Sequence, residues 1–184
     1  VETTLISLEE VFNAEDFDIV MFGGGQDYEQ TVVAKDLQNK KEALIQYIED
    51  NGIVVAICGG FQLLGRYYVN ASGERLNGIS AIDVCTNGQF PNRLIGDVEI
   101  FNEEFGETYL GYENHIGRTY LGKNMKPLGK VVKGYGNNEE DHAEGCLYKN
   151  VFCSYFHGPI LVRNQHLADR IIKTAAQRRR EKNA

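Results

Sequence analysis

The stretch Ile53–Gly65, IVVAICGGFQLLG, constrains this chain more than any other. Its first five residues are apolar and mostly β-branched, the composition of a strand buried on both faces. An apolar helix follows from about Phe61, so the chain must turn sharply in between. That turn holds Cys58, with Ala56 and Gly60 two residues to either side. A strand-to-helix elbow that holds its central residue strained and exposed needs small neighbours on both sides. The elbow also sets the sulfur at a helix N-terminus, where the positive end of the dipole favours thiolate. The pattern predicts a nucleophile; the alternative is a buried cysteine acting as a small hydrophobe.

The residues before the elbow build the same architecture. Asp18–Phe22 reads as a buried strand that ends in Gly23-Gly24-Gly25-Gln26-Asp27. In open α/β sheets ligands bind at the carboxyl ends of strands. Three glycines there let backbone N–H groups approach a substrate, as an anion nest or half an oxyanion hole. The alternative is a plain loop, and no phosphate-binding glycine pattern is present. From Glu29 to Asp50 the spacing of Val33, Leu37, Leu44 and Ile48 predicts an amphipathic helix, stopped by Asn51-Gly52. Strand, helix, strand, elbow and helix make a βαβα unit and hence a parallel sheet.

Beyond Gly65 short apolar segments alternate with glycines. Strands are expected at 79–85, 95–101, 107–112 and 129–134, as hairpins added to the parallel core, and residues 1–6 suit a short strand. Arg93 precedes an apolar run and has the chemistry to fork onto a carboxylate. Tyr112–Thr119 crowds hydrogen-bonding side chains into eight residues, as at a site edge or in a satisfied structural network. Val151–Pro159 reads as a buried strand delivering His157 at its carboxyl end, beside Gly158. Pro159 then opens a closing helix to about Arg179. Among His115, His142, His157 and His166, His157 is the best placed general base.

At 184 residues the chain has the size of one domain. Its net charge of −7 opposes nucleic-acid binding, although residues 177–182 form a basic patch suited to a solvated tail or a docking contact. Cysteines at 58, 85, 146 and 153, without a C-x-x-C pair, suggest neither a disulfide framework nor a zinc site, and fit a reducing cytoplasm. No apolar run approaches the ~20 residues of a membrane span. A start at Val1 rather than methionine suggests a fragment or trimmed chain.

Taken together these residues resemble the class I glutamine amidotransferases, and within them the cobyric-acid-synthase-like branch. Cys58-Gly59-Gly60-Phe61-Gln62 is similar to the nucleophile motif C-x-G-x-Q, residues 23–25 to the oxyanion loop, and Tyr155-Phe156-His157-Gly158 to the segment carrying the base. GGGQDYEQ, ICGGFQLLG, NRLIGD, YENHIGRT, YGNNEE and YFHGPIL agree in order over about 18–175, most like the glutaminase subunits of bacterial lipid II isoglutaminyl synthases.

The resemblance implies a flavodoxin-like α/β fold, mostly parallel at its centre, lacking the family's first strand and helix before Val1. Cys58 would attack the side-chain amide of L-glutamine, and His157 would pass the thiol proton to the departing ammonia. N–H groups of Gly59 and of Gly24 or Gly25 would hold the oxyanion. Arg93 would hold the substrate carboxylate, and Gln62 would line the pocket. No metal or cofactor is implied for this chain. ATP and magnesium would sit on a Mur-ligase-like (MurT-type) partner, forming a heterodimer that amidates D-glutamate of lipid II to D-isoglutamine in peptidoglycan synthesis. The chain would be cytoplasmic, reaching its lipid-linked substrate through that partner without membrane insertion. Many relatives carry a glutamate two residues after the histidine; here that place is Pro159, so another carboxylate such as Glu113, or one from the partner, would orient His157. Other readings are a cobyric-acid-synthesis amidotransferase, a DJ-1/PfpI-like cysteine hydrolase, or a catalytically dead binding module.

Overall fold

A computed structural model describes residues 1–25 and 27–183, the side chains of Asp27 and Tyr28 excepted; Gln26 of the glycine loop lies outside the described residues. The first part of the chain alternates β1 (Ile19–Phe22), α1 (Asp27–Glu49), β2 (Ile53–Ile57) and α2 (Gly59–Leu64). Short strands follow: β3 (Tyr67–Val69), β4 (Arg75–Asn77), β5 (Val84–Asn87), β6 (Leu94–Asn102), β7 (Glu107–His115) and β8 (Arg118–Leu121). After them come β9 (Gly129–Lys133), β10 (Ala143–Glu144), β11 (Cys146–Tyr148), β12 (Val151–Ser154) and β13 (Phe156–His157). Helices α3 (Ile160–Arg163) and α4 (Gln165–Lys182) close the chain.

The central sheet has the order β1-β2-β12-β11. Its first three strands are parallel and β11 is antiparallel, so the sheet is mixed. β2 is the middle of three layers. Val54 and Ala56 pack with Leu37, Leu44 and Ile48 of α1, whereas Ile53 and Val55 pack with Leu167, Ile171 and Ala175 of α4. Burial on both faces is why β2 reads as an unbroken apolar run. β1 is less buried than its sequence predicts, with Met21 59% exposed, because it lies at the sheet edge.

The remaining strands form an antiparallel sheet, β10-β9-β6-β7-β13, and a mixed one, β4-β3-β5-β8. Three boundaries differ from expectation for physical reasons. Residues 79–82 are not strand. Their N–H groups donate to the carbonyls of Leu63, Gly65 and Leu64, capping α2, while Ile79 and Ile82 fill the core. Residues 1–6 belong to no strand and only Ile6 is even half-buried. The closing helix breaks at Asn164, whose buried amide bonds the N–H and carbonyl of Leu110 and the carbonyl of Ile160.

The fourth difference matters most for the site. The segment ending in His157 is two strands, not one. β12 pairs with β2 in the central sheet, and β13 pairs with β7 in the antiparallel sheet. The chain crosses between sheets at Tyr155, which carries His157 over the end of β2.

Candidate active site

Cys58 forms the corner between β2 and α2, with φ 51° and ψ −107°. A non-glycine residue there costs about 1–3 kcal/mol and persists only where its surroundings enforce it. Enforcement comes from both sides: its N–H donates to the Ser154 carbonyl at 2.9 Å, and its own carbonyl accepts from Gln62 N–H at 3.0 Å. Gly60 lets α2 sit on the end of β1. Its N–H donates to the Gly23 carbonyl at 3.1 Å, and a Cβ there would stand 2.5 Å from that of Phe22.

The glycine loop closes over the sulfur. A methyl group on Gly24 would lie 3.3 Å from Cys58 Cβ, 3.8 Å from its Sγ and 3.4 Å from His157 Cε1. Cys58 and His157 thus both border Gly24, and a side chain there would crowd them slightly. A methyl on Gly59 would collide with the Gln30 amide and stand 3.1 Å from the Gly25 nitrogen. The Gly59 N–H bonds the Cys58 sulfur and Gly25 borders the same cavity as Cys58, which makes these two N–H groups the candidate oxyanion donors. The Gly60 N–H is already spent on Gly23.

The electrostatics differ from those expected of a bare helix terminus. Burial pushes the Cys58 thiol up, against the lowering effects of the Gly59 N–H and the Arg93 charge. Helix α2 has only six residues, and its dipole does not outweigh that burial. His157 is held below the ordinary histidine value, first by burial and then by the His115 and Arg93 charges. The pair therefore rests near neutral pH as thiol and neutral imidazole, and the imidazole is free to accept the proton. Its Nε2 is buried with no hydrogen-bond partner among the described residues.

A cavity of about 610 Å³ opens at Cys58, bounded by Gly25, Gln30, Gln62, Arg93 and His115 among others. Gln62 lines it, but its amide is engaged: the oxygen accepts from Gln30 Nε2 at 2.8 Å and the nitrogen donates to the Tyr155 hydroxyl at 3.1 Å. Arg93 is pinned by Asn114, its Nε donating to Oδ1 at 2.8 Å and its NH2 to the carbonyl at 3.0 Å. That grip leaves NH1 to reach a ligand in the cavity. A deeper network passes from Tyr155 to Thr119 and Thr86, with the His115 ring stacked on Tyr155 at 3.6 Å.

Glu113 does not orient His157. It pairs with Phe156, so its side chain points to the opposite face of the ribbon from that of His157. Its carboxylate accepts from the N–H groups of Tyr135 and Gly136 and lies 3.8 Å from His115 Nε2. The residues not singled out from sequence are Gln30 at the cavity and Glu144 beneath the histidine strand, while Asn114 and His115 stand out only as part of a polar segment. Asn114 and His115 carried a signal in the polar density of 112–119. Gln30, in a polar helix, and Glu144 carried none. Among the described residues no group of three or more His, Cys, Asp or Glu is arranged to hold a metal, and no helix is long and apolar enough to cross a membrane.

A buried elbow cysteine, a histidine bordering the same glycine and nearby glycine N–H groups have the chemistry that a Cys–His acyl-transfer site on an α/β sheet requires. The chain belongs to the CobB/CobQ-like glutamine amidotransferase family, whose domain model matches residues 1–165. The subunit GatD of the glutamine-hydrolyzing lipid II isoglutaminyl synthase of Streptococcus pneumoniae is 55% identical over 97% of this chain and 69% of that protein. The corresponding GatD of Staphylococcus aureus is 42% identical over 90% of this chain and 66% of its own length. The chain thus spans about two thirds of these relatives. A cobyric acid synthase of Listeria innocua is 30% identical over 83% of this chain but 31% of that protein. In fold, the chain matches a glutamine amidotransferase crystal structure with a TM-score of 0.63 at 17% identity, covering 88% of this chain and 81% of that one.

Proposed function

We propose that this chain is the glutamine-hydrolysing subunit of a lipid II isoglutaminyl synthase. The carrying observation is that Cys58 and His157 both border Gly24, in a chain 55% identical to such a subunit over nearly its whole length. His157 takes the proton from Cys58 as Sγ attacks Cδ of L-glutamine. The Gly25 and Gly59 N–H groups receive the oxyanion. Collapse of the tetrahedral intermediate expels ammonia, protonated by His157, and leaves a γ-glutamyl thioester. Water activated by the same imidazole then releases glutamate. Arg93 holds the α-carboxylate through NH1, and Gln62 shapes the pocket through its fixed amide.

Ammonia alone does not amidate a carboxylate at useful rates, so a ligase subunit that activates the acceptor must complete the reaction. That partner is a Mur-ligase-like subunit in a heterodimer, carrying ATP and magnesium, and its acceptor is the D-glutamate α-carboxyl of lipid II. Work at this step belongs on the cytoplasmic side of the membrane. The family match leaves a DJ-1/PfpI-like hydrolase without support, and the lower identity and short coverage disfavour cobyric acid synthesis.

The test is release of ammonia and glutamate from L-glutamine by the chain with its co-purified ligase partner. Cys58→Ala is expected to lower kcat at least about a thousand-fold, the usual cost of removing a nucleophile. Hydrolysis undiminished in Cys58→Ala, or none by the wild-type pair, would overturn the assignment.

A further inference from the structure

Where β12 gives way to β13, the backbone leaves one sheet before it has joined the next, and its N–H groups there have no ladder partners. One buried side chain supplies them. Glu144 Oε1 accepts from Tyr155 N–H at 2.6 Å and from the Ser154 hydroxyl at 3.0 Å. The Ser154 Oγ accepts in turn from Phe156 N–H at 2.9 Å. Three successive residues before His157 are therefore tied to a single carboxyl oxygen. Ser154 also reaches the nucleophile, since its carbonyl accepts the Cys58 N–H.

Glu144 is an unusual choice for a mere backbone cap. It is fully buried, no cation is paired with it, and its other oxygen has no partner among the described residues. The charge that acts on it is another carboxylate, Glu113. An amide or hydroxyl would satisfy two donors at lower desolvation cost. His157, meanwhile, has no carboxylate hydrogen-bonded to it among the described residues.

We propose that Glu144 is a positioning residue for glutamine hydrolysis, holding His157 against Cys58 through the Ser154–Phe156 backbone at the sheet crossover. The inference rests on His157 being the base of the proposed glutaminase. It acts at one remove: the carboxyl fixes the strand, the strand fixes the imidazole, and the imidazole meets the sulfur. Glu144 Oε1 accepts both bonds, so a glutamine in its place keeps the same acceptor.

The experiment uses the full chain with its ligase partner and measures kcat and KM for glutamine in Ser154→Ala, Glu144→Ala and Glu144→Gln. A displacement of a reacting group by an ångström costs about a hundred-fold in rate. Glu144→Ala is accordingly expected to lose about a hundred-fold in kcat and Ser154→Ala about ten-fold, each with KM within about two-fold of wild type. Glu144→Gln is expected to restore kcat to within about three-fold. Ring-labelled NMR of His157 adds a readout that a general loss of stability would not move. Its titration should rise toward that of an ordinary histidine in Glu144→Ala and Ser154→Ala, and stay in place in Glu144→Gln. If Glu144→Ala does not fold, Ser154→Ala decides. Wild-type kcat and an unmoved His157 titration in Ser154→Ala, or a Glu144→Gln as impaired as the alanine variant, would overturn the role of Glu144 alone. A wild-type pair that releases no ammonia would overturn the glutaminase reading beneath it.

Discussion

Cys58 and His157 are pulled apart in proton affinity by the same burial: the thiol is pushed up and the imidazole down. A neutral imidazole is the working form of a base, and His157 loses it only when pH falls below its lowered value. The acid limb of kcat/KM is therefore expected below pH 6.5, the ordinary histidine value, when hydrolysis is followed across pH. Arg93 faces both groups and lowers both, as His115 does for His157, so Arg93→Ala should move that limb upward. Asn114 gives a cleaner separation. Its Oδ1 accepts from Arg93 Nε, and an alanine there removes that bond while the backbone carbonyl keeps its hold on NH2, loosening the guanidinium without altering the sulfur. Asn114→Ala is expected to raise KM for glutamine about ten-fold with little change in kcat, the mark of lost ground-state binding.

At the scale of elements, the elbow was the most legible part of the chain because every constraint on it is local. A buried strand, a corner and a helix within thirteen residues leave few alternatives, and β2 and α2 fall within two residues of their expected bounds. The glycine loop was legible for the same reason. The strand switch at Tyr155 was not: an apolar run looks the same whether it pairs with one neighbour or two, and its partners β2 and β7 are far away in sequence. Glu144 was illegible because an isolated glutamate gives no sign of being buried. The residues at 79–82 misled, since a segment whose N–H groups cap a helix while its apolar side chains fill the core reads like a strand. Packing of α2 on β1 through Gly60 is testable directly. Gly60→Ala would press a methyl to 3.0 Å from the Phe22 and Gly23 carbonyls and closer still to Phe22 Cβ. It is expected to cost about 1–3 kcal/mol in chemical denaturation, as overpacking does.

Over the whole molecule, two core clusters on either side of the central sheet carry the fold, while a polar seam containing Glu113, His115, Glu144 and Ser154 runs beneath the site. That seam has a consequence for stability. Burial pushes the Glu144 carboxyl up to about 8 from 4.5, with Glu113 adding to the rise and the Tyr155 and Ser154 bonds opposing it. Between those pH values the folded chain holds a proton that the unfolded chain has lost, so stability falls as pH rises and levels off above about 8. At about 1.4 kcal/mol per unit the loss amounts to a few kcal/mol. Cys153, also buried and acted on by Glu144, titrates higher still, whereas His157, lowered from 6.5, adds an opposite slope below that value that wild type and Glu144→Gln share. Denaturation of Glu144→Gln should lack the falling slope, and a slope equal to wild type would assign it elsewhere. The central claim, a cysteine activated for glutamine at the elbow, is tested most directly by alkylation with a diazo ketone analogue of glutamine and peptide mapping. The four free cysteines provide the control: Cys85 is the more exposed, and Cys146 is held at about 12 by burial. Modification confined to Cys58 and blocked by excess L-glutamine is the predicted result; label on Cys85 with Cys58 untouched would contradict it.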